Sequence, residues 1–186
     1  IELSARNINI TYKFSGFLQL FSLKSFLNKN IFSNTIKRSK KNISLHYDLG
    51  NEFFSAFLDR TLTYSCGIFN SPDETLEKAQ INKYNKLINL VKPKDGDKIL
   101  EIGCGWGGFA EHLAKNYNVK IDCITISKKQ FLFTKERIRK SGLANKVNVQ
   151  MMDYRNVKKK YDIIVSIEML EAVGEKYLNK YFESIK

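Results

Sequence analysis

The chain reads as an α/β domain with a parallel-sheet core and helices on both faces of the sheet. Two observations predict this. From Lys98 onward, short aliphatic stretches alternate with longer helix-compatible ones, the pattern of strands joined by helical crossovers. The first of those strands runs directly into the glycine-rich stretch Gly103-Cys104-Gly105-Trp106-Gly107-Gly108, a tight turn that opens a helix.

Taken in order, the elements follow from local chemistry. Residues 1–45 form a basic, partly amphipathic N-terminal segment, with Phe14, Phe17, Leu18 and Phe21 at helical spacing and a basic linker around Lys37-Arg38-Ser39-Lys40-Lys41. A turn at Gly50-Asn51 leads into a short helix ending near Leu58, and Leu62–Phe69 reads as a loop. Ser71-Pro72-Asp73-Glu74 has the composition of a helix start, and the helix should run to about Val91, burying Leu76, Ala79, Tyr84, Leu87, Ile88 and Val91. Strand Lys98–Ile102, helix Gly108–Tyr117, strand Lys120–Ile126 and helix Lys128–Lys140 come next, the last capped by Ser127 and stopped by Gly142. Strands Val147–Met151 and Tyr161–Ile167 follow, then a helix from about Glu175. The chain opens on Ile1 and closes on Ile185-Lys186 inside that helix, so both ends read as cut.

Of the 186 residues, 43% are hydrophobic, enough for a real core, and no uninterrupted apolar run reaches the length of a membrane-spanning helix. The net charge is +12, and residues 1–45 hold eight basic residues against the single acid Glu2. Such a face attracts polyanions, which leaves anionic lipid and nucleic acid both open on charge alone. Cys66, Cys104 and Cys123 are odd in number and lack metal-ligand spacing, so they read as reduced cytosolic thiols, and no metal site is expected.

The glycine stretch carries the chemistry. Gly103, Gly105 and Gly108 fit the spacing of a dinucleotide-binding loop. Two features speak against NAD. Glu101 places an acid two residues before the first glycine, which suits a sulfonium and amino-acid ligand better than a pyrophosphate. The second strand ends Thr125-Ile126-Ser127, without the carboxylate a dinucleotide ribose requires. The ligand indicated is S-adenosylmethionine.

Several motifs then occur in order: His46-Tyr47-Asp48-Leu49-Gly50-Asn51, Tyr64-Ser65-Cys66, Leu100–Gly108, Thr125-Ile126-Ser127 with Gln130, Asp153-Tyr154-Arg155, and Ser166-Ile167-Glu168-Met169-Leu170-Glu171-Ala172-Val173-Gly174. This set resembles the cyclopropane-fatty-acyl-phospholipid synthase family, which includes the mycolic acid cyclopropane synthases, over roughly residues 40–186. The resemblance implies a Rossmann-like class I methyltransferase domain over residues 46–186, truncated at its C-terminus, that transfers a methylene group from S-adenosylmethionine to a cis double bond of a phospholipid acyl chain. It implies that Tyr64 and Ser65 contact the cofactor and that Ile99, Leu100, Glu101, Ile102, Gly103, Cys104, Gly105, Trp106 and Gly107 wrap its methionine and ribose parts. Thr125, Ile126, Ser127, Lys128, Lys129 and Gln130 would take the ribose and adenine side, with Gln130 in place of the missing acid, and Tyr154 and Arg155 would flank the adenine. Cys66 and Glu171 match positions that hold a bicarbonate ion, the base for ring closure; the family's further histidine and tyrosine for that ion would lie beyond Lys186. The chain departs from many members in reading Glu171-Ala172-Val173-Gly174 where they have a histidine after the glutamate.

A C=C bond is a weak nucleophile and a sulfonium methyl a strong electrophile, so orientation supplies much of the acceleration. Aromatic faces can stabilise the carbocation that follows; Tyr47, Tyr64 and Phe69 are candidates. The expected partners are unsaturated phospholipid acyl chains and an anionic membrane surface touched peripherally from the cytoplasm. Nucleic acid is not expected, and a homodimer is an assembly to test. Two other readings remain open here: a related methyltransferase acting on an acyl chain without ring closure or on a small amine, and a non-enzymatic lipid- or nucleic-acid-binding module.

Overall fold

The structure is a computed structural model that describes residues 50–186. The expectations for residues 1–45, and for His46 through Leu49 including Tyr47, lie outside the described residues.

Four strands form one parallel sheet: β1 (Lys98–Ile102), β2 (Lys120–Thr125), β3 (Val147–Met151) and β4 (Ile163–Ser166), in the order β3-β2-β1-β4. Among the described residues, five α-helices accompany them: α1 (Asn51–Ser55), α2 (Leu76–Val91), α3 (Gly108–Asn116), α4 (Lys128–Lys140) and α5 (Leu178–Ser184). The order reverses at β1, with β2 on one side and β4 on the other, which opens a crevice beyond the carboxyl ends of the strands.

Period-2 alternation along the strands splits the core in two. Ile99 of β1 and Ile121 and Cys123 of β2 face Tyr84, Ile88, Phe109, Leu113 and Ile138, supplied by α2, α3 and α4. Leu100, Ile102 and Ile124 face the other way, against Tyr154, Val157, Met169 and Ile185. Both faces are thus covered, as parallel sheets require. A third, smaller cluster of Phe54, Leu62 and Trp106 seats α1 on the glycine-rich turn.

The element boundaries differ from expectation where a polar side chain settles them. The helix expected from Ser71-Pro72 begins at Leu76, because Thr75, not Ser71, takes the cap: its hydroxyl accepts the Lys78 N–H at 3.2 Å. Ser71 caps a turn instead, its carbonyl accepting the Glu74 N–H. The strand expected from Tyr161 starts at Ile163, since Asp162 uses its carboxylate to accept the Lys98 N–H and Tyr161 donates its hydroxyl to Asp122. The last helix begins at Leu178 after a single 3₁₀ turn at Glu175–Tyr177. Helix α4 matches expectation, with the Ser127 hydroxyl accepting the Gln130 N–H and Gly142 left-handed beyond its end.

Candidate functional site

At the carboxyl ends of the strands lies a cavity of about 170 Å³, walled by the glycine turn after β1, the ends of β2 and β4, the turn after β3 and the Leu62–Ser65 segment. The turn itself is built by cross-strand bonds: the N–H groups of Gly103 and Cys104 both donate to the Ile124 carbonyl, at 2.9 and 3.1 Å.

Its glycines divide into two kinds. At Gly107 a Cβ would lie 2.5 Å from Thr134 Cγ2, and at Gly108 it would lie 2.6 Å from the Tyr84 hydroxyl oxygen. Gly107 thus permits close packing against α4, and Gly108 close packing against α2 and Thr61. Gly105 is different: its φ is +53° and a Cβ there would meet no protein atom within 4 Å. The backbone at Gly105 is bare toward the cavity, which is the condition for a ligand to approach it closely.

Beneath the turn sits Glu101, buried at 4% exposure. Its carboxyl accepts from Cys123 Sγ at 3.6 Å and from the Ala110 N–H, and burial pushes its pKa up to about 8. A carboxyl so placed gains charge when a cation enters the cavity.

At the end of β2, the Thr125 hydroxyl donates to Gln130 Oε1 at 2.8 Å and accepts the Ser127 N–H, locking a buried polar corner. After β3, Asp153 caps the turn Tyr154–Asn156 and accepts two bonds from the Arg155 guanidinium, at 2.8 and 2.6 Å. The Tyr154 ring packs edge-on against Tyr181, with centroids 5.1 Å apart. Across the cavity, Lys83 of α2, 5% exposed, donates to Ser65 Oγ at 2.5 Å and to the Cys66 carbonyl at 2.8 Å. Burial lowers the Lys83 pKa, and the Glu168 carboxylate is the first charge opposing that shift. Gln80 donates to the Ser65 carbonyl at 2.7 Å. Helix α2 therefore holds the Tyr64–Cys66 segment from behind.

Two further side chains fasten the glycine turn. Trp106, 2% exposed, donates its indole N–H to Asn51 Oδ1 at 2.8 Å and packs on Phe54. Arg137 of α4 donates to the carbonyls of Trp106, Thr61 and Arg60 and lies 3.5 Å from Glu111.

The structure brings most of the sequence-predicted residues to this cavity: Tyr64, Ser65, Glu101, Ile102, Gly103, Cys104, Gly105, Trp106, Thr125, Ile126, Gln130, Tyr154 and Arg155. Ile99, Leu100, Gly107 and Ser127 are buried beside it without lining it, and Lys128 and Lys129 are exposed on the first turn of α4. Cys66 and Glu171 are both exposed and line no part of the cavity. The Cys66 N–H donates to Glu168 Oε1 at 2.9 Å, and that carboxylate also pushes the Cys66 thiol pKa up. Phe69 is also exposed, away from the cavity.

Sequence reasoning missed Tyr84, Lys83 and Glu168 as parts of the site. Tyr84 lines the cavity, with its hydroxyl bonded to Thr63 and its pKa pushed up to about 12 by burial. The available signal was a polar pair, Gln80 and Lys83, on the same face of α2 as Ala79 and Tyr84.

The arrangement fits S-adenosylmethionine: a bare glycine backbone, a buried carboxyl beneath it, a polar corner at Thr125 and Gln130, and an aromatic side chain beyond β3. Comparison with known proteins agrees. The family profile described as mycolic acid cyclopropane synthetase matches residues 34–186. The cyclopropane-fatty-acyl-phospholipid synthase of Escherichia coli (strain K12) is 42% identical over 137 residues, 74% of this chain and 35% of that protein. Tuberculostearic acid methyltransferase UfaA1 of Mycobacterium tuberculosis (strain ATCC 25618 / H37Rv) is 36% identical over 156 residues, 80% of this chain and 36% of its own. The crystal structure of mycolic acid cyclopropane synthase CmaA1, complexed with SAH and CTAB, superposes with a TM-score of 0.75 at 32% identity, covering 78% of this chain and 51% of that one. The chain thus spans about a third of the length of these two curated relatives. With fold, cavity and profile in accord, the chain belongs to the mycolic acid cyclopropane synthetase family.

Proposed function

We propose that the protein is an S-adenosylmethionine-dependent methyltransferase acting on lipid, and that it transfers a methylene group to a cis double bond of a phospholipid acyl chain to form a cyclopropane ring. The observation that carries the cofactor reading is the bare backbone at Gly105 above the buried Glu101. When bound, S-adenosylmethionine supplies an electrophilic methyl group on a sulfonium. The chain's own residues then have separate tasks. The Gly103–Gly105 backbone receives the methionine and ribose part, Gln130 and Thr125 face the ribose, and Tyr154 packs beside the adenine. Tyr64 and Ser65, held by Lys83 and Gln80, close the wall from which the acyl chain approaches. Tyr64 is one of several aromatic side chains lining the cavity, and its face would stabilise a carbocation by about 0.5–2 kcal/mol. Methyl transfer releases S-adenosylhomocysteine and leaves a carbocation, and the ring closes as the transferred methyl group loses a proton to a base; bicarbonate held by Cys66 and Glu171, which stand outside the cavity, would accept that proton.

The lipid substrate rests on relatives whose names specify a cyclopropane-fatty-acyl-phospholipid synthase and a tuberculostearic acid methyltransferase. The second of these favours an alternative outcome, addition of a one-carbon branch without ring closure. Vesicles of cis-unsaturated phospholipid, incubated with the protein and S-adenosylmethionine, separate the two. Cyclopropanation adds one CH₂ per double bond, consumes the alkene and gives upfield ring-proton resonances. Retention of an alkene with the same mass gain supports the branching reaction, and no mass gain sinks the lipid reading. The basic composition, +12 overall, is consistent with peripheral contact with an anionic membrane, and no helix among the described residues is long and apolar enough to cross one.

A further inference from the structure

Glu168 stands out in three independent ways. Among the described residues it is one of three non-glycine residues with a positive φ, at +48°, a region disfavoured for residues carrying a Cβ. Its carboxylate reaches across the cavity mouth to accept the Cys66 N–H at 2.9 Å, joining the end of β4 to a segment 102 residues earlier in the chain. It also lines the cavity.

Its place in the sheet fixes which end of the cavity it serves. Ser166 pairs with Ile102, so Glu168 follows β4 beside the start of the glycine turn. The next residue, Met169, lies with its Cγ 3.0 Å from where a Cβ on Gly103 would be. The Asp153–Arg155 pair stands past β3, at the opposite end of the strand order.

Three carboxyl groups line the cavity: Glu101, Asp153 and Glu168. Asp153 is neutralised by Arg155 through a two-point contact. Glu101 is buried and resists ionisation. Glu168 is exposed to the cavity and spends one oxygen on the Cys66 N–H. Behind that N–H, the Lys83 ammonium is pinned to Ser65 and Cys66, so a cationic ligand entering here would meet a buried positive charge. A carboxylate between the two offsets the repulsion.

We propose that Glu168 is a cofactor-charge residue: it sets its carboxylate against the sulfonium of S-adenosylmethionine and latches the Tyr64–Cys66 segment beside it. The proposal rests on the cofactor reading above. The charge term distinguishes S-adenosylmethionine, a sulfonium, from S-adenosylhomocysteine, the neutral thioether of otherwise equal shape. Removing the charge weakens the first and spares the second.

The test is calorimetric titration of both compounds into the wild type, Glu168→Gln and Glu168→Gly, with thermal unfolding of each ligand-free protein. Glu168→Gln keeps an acceptor oxygen for Cys66 and removes the charge. It should lose about fivefold in affinity for S-adenosylmethionine, the effect of an exposed charge pair near 1 kcal/mol, and hold its affinity for S-adenosylhomocysteine within about twofold. Glu168→Gly relieves the positive φ but gives up the bond to Cys66, so it should unfold within a few degrees of the wild type while showing the same loss of preference for the sulfonium. A merely structural role predicts the reverse, a lower unfolding temperature with both ligands weakened alike. Equal weakening of both compounds in Glu168→Gln, or no change in either, overturns the proposal while leaving the cofactor reading intact. Failure of the wild type to bind either compound overturns both.

Discussion

Gly107 and Gly105, two residues apart in one turn, should respond to the same substitution in different ways. At Gly107 the backbone is left-handed, φ +82° and ψ 17°, and an added Cβ would stand 2.5 Å from Thr134 Cγ2. Adopting that conformation with a side chain costs about 1–2 kcal/mol, and forcing a methyl into a packed contact about 1–3 more. Thr134 cannot step aside without cost, because its hydroxyl donates to the Gly105 carbonyl at 3.0 Å and the residue is fully buried. Gly107→Ala should therefore destabilise the fold by about 2–5 kcal/mol, read by urea denaturation, with a fall in Tm on the order of 5–15 °C. Gly105→Ala carries only the backbone term, about 1–2 kcal/mol, since nothing lies within 4 Å of its Cβ. Its larger effect should be on S-adenosylmethionine affinity, and Gly105→Val should abolish binding by filling the cradle. A Gly107→Ala protein as stable as the wild type, or a Gly105→Val protein with unchanged affinity, would refute the division of the turn into packing and ligand-facing glycines.

Other outcomes follow from the same geometry. Arg137→Ala removes the donor to three carbonyls, while Glu111 keeps Lys115 and Ser141, and should cost about 1–3 kcal/mol by denaturant titration. Lys83→Met should free the Tyr64–Cys66 segment, seen as faster amide exchange at Cys66 and weaker cofactor binding. Glu101 gives a pH signature. Its folded pKa is raised from 4.5 to about 8, so the native state binds more protons than the unfolded one between those values, and stability should fall as pH rises through that window. Above it the carboxyl is ionised in both states and the slope vanishes. Compared with Glu101→Gln, the wild type should lose on the order of a few kcal/mol across the window, read by denaturation at successive pH values, and its cofactor affinity should rise over the same range.

Much of the fold was legible because its cues are local. The four strands are short β-branched runs bounded by turns, and α4 carries its own cap in Ser127 and its own stop in Gly142. The start of α2 was misplaced because Ser71-Pro72 carries the same cues as Thr75, and only the bond to Lys78 decides between them. The glycine turn announced a ligand, yet not which of its glycines serve the ligand, since Thr134 and Tyr84 approach from elements far away in sequence. The tie from Trp106 to Asn51, that from Lys83 to Ser65 and that from Glu168 to Cys66 join residues with no shared periodicity, so no pattern marks them. Glu168 is the sharpest case: a glutamate at the end of an aliphatic strand gives no sign of a positive φ.

The central claim, that the cavity beyond β1 holds S-adenosylmethionine, is tested most directly by calorimetric titration of the protein with S-adenosylmethionine and with NAD. Saturable binding of S-adenosylmethionine, lost in Gly105→Val and absent for NAD, is the predicted result. Binding of NAD, or S-adenosylmethionine affinity that survives the valine, would contradict the account.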